Sequence, residues 1–174
     1  AHACAYVMSA IRIAWFKVYK PLFYYAAFFS IRVDDFDIET MIKGYNAIKI
    51  RYEDLMAKGF EATNKETNII ESLHVALEAT ARGIKFAPIS LEKSDATRFV
   101  VDTEHENTLI PPFKTIDGLG VTVAKTIVDA REQGPFLSKE DLQKRGKVSK
   151  TLTDKMAEMG IINELPDSNQ LSLF

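Results

Sequence analysis

The stretch that most restricts this chain is Gly118-Leu119-Gly120, which runs directly into Val121-Thr122-Val123-Ala124-Lys125. Two glycines flank one apolar residue, and a helical pattern follows at once. Glycine accepts positive φ at little cost, so the chain can reverse tightly here. The amides of Gly118, Gly120, Val121 and Thr122 can then point outward at a helix N-terminus, with the positive end of the helix dipole behind them. Such a terminus is a ready site for a phosphate oxygen. Beyond the turn, Val123, Ala124, Ile127 and Val128 recur at helical spacing and form one apolar face. Ala124 is small enough to let a short preceding helix pack close.

This pattern resembles a helix-hairpin-helix, a module that grips a duplex backbone without reading bases. The charge around it agrees. The whole chain of 174 residues carries a formal net charge of −2, yet residues 109–150 hold eight Lys/Arg against five Asp/Glu. Lys114, Lys125, Arg131 and Lys147 are the basic residues expected to meet phosphates, with Gly118, Leu119, Gly120, Val121 and Thr122 forming the hairpin itself.

Hydrophobic residues make up 47% of the chain and charged residues 26%, which is ordinary for a globular domain. Cys4 is the single cysteine, so neither an internal disulfide nor a cysteine-based zinc site is available, which suits a reducing cytoplasm. His2, His74 and His105 lack metal-ligand spacing. Residues 3–16 are apolar but too short to span a bilayer. The chain opens at Ala1 inside an apolar helical pattern, so a fragment of a longer protein is expected, with the rest of that protein as a partner.

The expected fold is mainly α. Residues 1–89 read as helices as far as Gly83, after which Ile84, Phe86, Pro88, Ile89 and Leu91 read as extended chain. Tyr6, Val7, Ile11, Ile13, Ala14, Trp15 and Val18 make the first helix apolar on most sides, as in helices buried within a larger body. Pro21 opens a second, crowded with Leu22, Phe23, Tyr24, Tyr25, Phe28 and Phe29, read as core. Asp34, Asp35 and Asp37 are read as caps for a short helix ending near Gly44 rather than as metal ligands. Another helix stops at Lys58-Gly59, and Thr63-Asn64-Lys65-Glu66 is a capping box for the next, which runs to Arg82-Gly83. His74 lies on its polar side. Residues 90–110 form a connection, with a small β-hairpin in which residues 98–101 and 108–110 flank the polar Asp102–Asn107. Residues 111–166 form a tandem helix-hairpin-helix domain, its second turn at Gly146-Lys147-Val148-Ser149 being degenerate and expected to pack against the first. Residues 167–174 are a flexible tail.

That tail ends Gln170-Leu171-Ser172-Leu173-Phe174. Apolar residues at a free end lower solubility unless something receives them. They either fold back near Leu165 or dock in an apolar pocket of a partner, with Leu173 and Phe174 as anchors and Gln170 as a directional hydrogen bond. The pentapeptide resembles the bacterial sliding-clamp-binding motif.

Several further stretches carry a wider resemblance. They are Ala1-His2-Ala3-Cys4-Ala5-Tyr6, Ile13-Ala14-Trp15-Phe16-Lys17, Pro21 to Ala27, Pro88-Ile89-Ser90-Leu91, Leu109-Ile110-Pro111-Pro112, and Gly134-Pro135-Phe136-Leu137-Ser138-Lys139-Glu140-Asp141-Leu142. With the hairpin and the tail, they resemble the C-terminal part of the bacterial DNA polymerase III α subunit, a C-family replicative polymerase, in its PolC type. The resemblance implies that residues 1–89 belong to the polymerase fingers, with His2 near the incoming nucleotide. It implies a DNA-directed DNA polymerase as parent, with Mg²⁺ ions held by palm carboxylates, a 3′–5′ exonuclease elsewhere in the chain, a cytoplasmic setting at replication forks and the β sliding clamp as partner. No match to the palm aspartates is present, so this segment holds no catalytic residue by that reading. Two alternatives stand beside it. One is a standalone helix-hairpin-helix adaptor that recruits the clamp. The other is a base-excision glycosylase, for which Asp129 or Asp141 would have to serve as the catalytic acid.

Overall fold

The computed structural model describes residues 2–168. Five helices come first: α1 (His2–Tyr19), α2 (Pro21–Ile31), α3 (Ile38–Met41), α4 (Tyr45–Ala57) and α5 (Asn64–Ala81). Three short strands follow, β1 (Lys85–Phe86), β2 (Val100–Val101) and β3 (Thr108–Ile110). The chain then closes with α6 (Val121–Glu132), α7 (Lys139–Gly146) and α8 (Lys150–Glu158). The mainly α expectation holds.

Local chemistry sets most of these boundaries. Pro21 occupies the first turn of α2, where its missing N–H costs nothing. The Asp37 side chain accepts from the Thr40 amide and starts α3. The predicted capping box is present at α5: Glu66 N–H donates to Thr63 Oγ1 at 3.2 Å and Thr63 N–H donates to Glu66 Oε2 at 2.9 Å. Ser138 and Ser149 cap α7 and α8 in the same way. Gly59 (φ +52) and Gly83 (φ +85) let the chain turn left-handed at the ends of α4 and α5.

The aromatic run of α2 divides by face. Tyr25 and Phe29 are fully buried, while Phe23 stays exposed. Phe29 packs edge-on against Phe86 of β1 and tilted against Phe99, both with ring centres 5.4 Å away. Complete burial of a side chain of this size stabilises by roughly 1.5–3 kcal/mol, so Phe29 anchors α2 to the sheet. Ser30 adds a polar tie, accepting from the Phe99 amide at 2.8 Å.

The predicted hairpin forms: β2 pairs antiparallel with β3, Val100 opposite Ile110. The sheet gains a third strand that the sequence reading left as extended chain. β1 pairs parallel with β3, Lys85 opposite Thr108, giving the order β1-β3-β2. One hydrophobic core runs from Tyr25 through the sheet to Met156 and Ile162.

Within this chain α1 is left uncovered. None of its residues is buried, and Tyr6, Ile11, Ile13, Trp15 and Val18 stand about half to two-thirds exposed. It is attached through α2 and by Lys17, whose ammonium lies 2.8 Å from Glu78 of α5.

Candidate nucleic-acid interface

The hairpin is built from the core outward. Pro111-Pro112 lead into a single 3-10 turn, Phe113–Thr115, rather than a longer helix. Phe113 and Ile116 are buried beneath it, and the Leu119 side chain points inward between the two glycines. The Leu119 amide donates to the Ile116 carbonyl at 3.0 Å, closing the turn. Leu119 therefore holds the hairpin from below, and its amide is spent there.

The two glycines differ. Gly118 has φ +85, a conformation that strains any side chain. Gly120 has φ −70 and ψ 154, ordinary extended backbone, so the left-handed freedom of glycine is used only at Gly118. A Cβ placed on Gly120 would meet nothing within 4 Å. Neither conformation nor packing inside the chain calls for glycine at position 120.

Gly120 is also the N-cap of α6, and no side chain caps that helix. The first amides of a helix have no partner within it. Here the N–H groups of Gly118, Gly120, Val121, Thr122 and Val123 donate to no acceptor among the described residues. Gly120, Val121 and Thr122 are exposed. Ser138 and Ser149, at the equivalent positions of α7 and α8, each take one such amide for themselves. The start of α6 thus presents a cluster of free donors with the helix dipole behind it.

The four basic residues expected here have different fates. Lys125 is exposed on α6 and has no partner among the described residues. Lys147 is likewise exposed, in a left-handed conformation (φ 53) at the turn between α7 and α8. Lys114 is half-buried, its ammonium donating to the Ser30 carbonyl at 3.2 Å and lying 5.7 Å from the centre of the Phe36 ring. Arg131 sits at the far end of α6 and donates to the carbonyls of Leu91 (3.0 Å) and Ser94 (2.9 Å). Lys114 and Arg131, expected to meet phosphates, are engaged by backbone carbonyls within the fold instead of standing free. Arg145, from the basic run of α7, is spent similarly. It donates to Ala130 and Gly134 carbonyls at the C-terminal end of α6 and lies over the Phe136 ring at 4.9 Å.

The second hairpin lies against the first. Gly146 is buried, and α7 packs along α6 through Ile127 and Leu142. α8 reaches the first turn, where Leu152 Cδ2 lies 3.8 Å from where a Gly118 Cβ would stand. Two residues missed in the sequence meet there. Lys65 of α5 and Lys155 of α8 both pair with Asp117, the residue before Gly118, at 2.5 Å and 3.5 Å. The Lys65 ammonium holds the Asp117 carboxyl below its ordinary range. No sequence spacing links residues 65, 117 and 155.

Of the remaining sequence candidates, His2 stands exposed on α1 with its ring edge-on to Tyr6. Gln170, Leu171, Ser172, Leu173 and Phe174 lie outside the described residues. Among the described residues no helix is long and apolar enough to cross a membrane.

The match to known proteins agrees with this geometry. Residues 83–171 match the helix-hairpin-helix motif family, and the chain belongs to it. Over all 174 residues the chain is 56% identical to DNA polymerase III PolC-type of Bacillus subtilis, 52% to that of Listeria monocytogenes and 50% to that of Latilactobacillus sakei. In each case it spans about 12% of the relative's length.

Proposed function

We propose that this chain is the part of a PolC-type replicative DNA polymerase that holds duplex DNA behind the site of synthesis. Gly118, Gly120, Val121 and Thr122 present backbone donors to one phosphate, Leu119 holds the turn beneath them, and Lys125 and Lys147 supply cations beside it. Contacts of this kind fix the protein on the duplex and carry no sequence information. The observation that carries the reading is Gly120: nothing within the chain needs a glycine there, whereas a phosphate approaching the free amides of α6 does.

Residues 1–89 are read as the end of the fingers, 90–110 as the connection and 111–166 as the duplex-binding domain. For the whole protein the reading is primer extension by a DNA-directed DNA polymerase, with a 3′–5′ exonuclease outside this segment and a cytoplasmic setting; the similarity to DNA polymerase III PolC-type supports the polymerase part. Its Mg²⁺ chemistry does not fit the residues here. Among the described residues, Asp102, Glu104 and His105 form the one carboxylate–histidine group of suitable spacing. The Asp102 oxygens there already take the Glu104 amide and His105 Nδ1. The tail pattern Gln170-Leu171-Ser172-Leu173-Phe174 supports docking on the β sliding clamp. A tether of this kind raises the effective concentration of enzyme at the primer end without adding contacts to DNA.

Gly120→Asp tests the duplex contact. Aspartate suits an N-cap, and the position is open, so stability should change by no more than a few tenths of a kcal/mol. Its carboxylate would take the α6 amides and repel phosphate, so binding to duplex DNA should be lost. Duplex binding equal to that of the unaltered chain would sink the assignment.

A further inference from the structure

Asp117 places a negative charge one residue before the hairpin, and two elements distant in sequence close on it. Lys65 Nζ lies 2.5 Å from Oδ1, and Lys155 Nζ lies 3.5 Å from Oδ2 while donating to the Asp117 carbonyl at 3.0 Å. The Asp117 and Lys65 side chains are both more than half exposed. An ion pair so well hydrated contributes only about 0–1 kcal/mol, so either lysine can exchange partners at small cost. The setting is acidic. Lys65, Lys114, Asp117 and Gly118–Gly120 border one recess, and Asp34 and Asp35 border it too; Lys114 is tied to the Ser30 carbonyl, which leaves the acids ahead by one charge. Asp35 accepts from Asn68 at 2.8 Å and remains a charge facing the turn. A phosphate at the hairpin meets acids that oppose it, and the lysines of the recess, with Lys155, are already engaged, which leaves Lys125 and Lys147 as the exposed cations.

Resting on the reading of the hairpin as a duplex-backbone site, we propose that Asp117 is a brake on DNA binding. In the free chain it holds Lys65 and Lys155 as ion pairs, and on duplex DNA these ammonium groups turn to the phosphates flanking the one at Gly118–Gly120. Lys65 and Lys155 are thereby DNA-binding residues contributed by α5 and α8. The brake keeps an otherwise indiscriminate site weak, so that the grip releases when the duplex advances.

A purely structural role for Asp117, tying α5 and α8 to the hairpin, makes a different prediction. Breaking the tie from either side would then change binding in the same direction. The brake requires opposite directions. The experiment measures duplex affinity of the full 174-residue chain between about 50 and 200 mM salt, with a melting curve for every variant. Asp117→Asn should bind about fivefold tighter at low salt, the scale of one charge at contact distance in water. Lys65→Gln and Lys155→Gln should each bind more weakly, with a salt slope shallower by about 0.9. Weaker binding by Asp117→Asn with an unchanged melting temperature overturns the proposal, as does an unchanged slope in both lysine variants. If Asp117→Asn melts early, the lysine slopes alone decide. Failure of the underlying reading is distinct: the unaltered chain would then show no salt-dependent duplex binding, or Gly120→Asp would bind as it does.

Discussion

Gly146 of α7 stands so close to Ile127 of α6 that a Cβ added to the glycine would lie 3.3 Å from Ile127 Cγ1. The same atom would lie 3.2 Å from Leu142 Cδ1 and 3.3 Å from Val148 Cγ2. Ile127 and Leu142 are fully buried, so neither can move aside freely. Gly146→Ala is therefore expected to destabilise the fold by about 1–2 kcal/mol through overpacking, despite the better helix propensity of alanine. Urea unfolding measures it, and a variant as stable as the parent would show that the seam between the hairpins is looser than described.

Lys125 and Arg131 lie on one helix and should behave in opposite ways. Arg131→Ala leaves the carbonyls of Leu91 and Ser94 without their donor, so stability should fall by about 1–3 kcal/mol while the salt slope of DNA binding stays the same. Lys125→Ala removes an exposed cation with no partner among the described residues. Stability should stay within about 0.5 kcal/mol, and the slope should fall by about 0.9. Melting curves and a salt titration on both variants separate the two roles.

Acid should weaken the start of α5 in a defined window. The Lys58 ammonium and then the Thr63 amide lower the Glu66 pKa to about 2. An unfolded glutamate titrates near 4.3. A carboxyl with a depressed folded-state pKa contributes stability that is complete above the unfolded value and is lost as pH falls through the folded one. The contribution of the Glu66 side chain should therefore decline between about pH 4.3 and pH 2. Comparison of Glu66→Gln with the parent tests this. The difference in melting temperature should be present at neutral pH and shrink across that window, and a constant difference would contradict the assignment.

Removal of Gln170–Phe174 should abolish binding to a bacterial sliding clamp and leave duplex affinity unchanged. Surface plasmon resonance against immobilised clamp, with a DNA titration alongside, provides both readings. Clamp binding that survives the truncation would exclude the tail as the tether.

The features legible in the sequence are those set by neighbours along the chain. The Thr63–Glu66 capping box and the turn at Gly118 each depend on residues a few positions apart. The hairpin across Asp102–Asn107 was equally visible. Strand β1 was not, because two residues carry no periodicity and its pairing with β3 depends on a partner more than twenty positions away. The fates of the lysines and arginines were hidden for the same reason. A cation in a basic segment reads as a surface charge, and only folding shows that Lys114 reaches Ser30, that Arg131 reaches Leu91, and that Lys65 meets Asp117. The Gly118–Gly120 pair is conspicuous in sequence, but only the structure separates the two: Gly118 uses positive φ, and Gly120 has ordinary backbone and leaves the first amides of α6 uncovered.

The carbonyl-bound cations have a mechanical consequence. Lys114, four residues before the turn, is fastened to the end of α2 through Ser30, and Arg131 fastens the far end of α6 to the segment between β1 and β2. Under the proposed duplex contact, a load at the hairpin would be carried into α2 and the sheet through charge-assisted struts at both ends of the element that bears it. The hairpin is braced like a bracket fixed at two points, so on that reading displacement of the duplex would reach the helices upstream as force rather than be absorbed as slack.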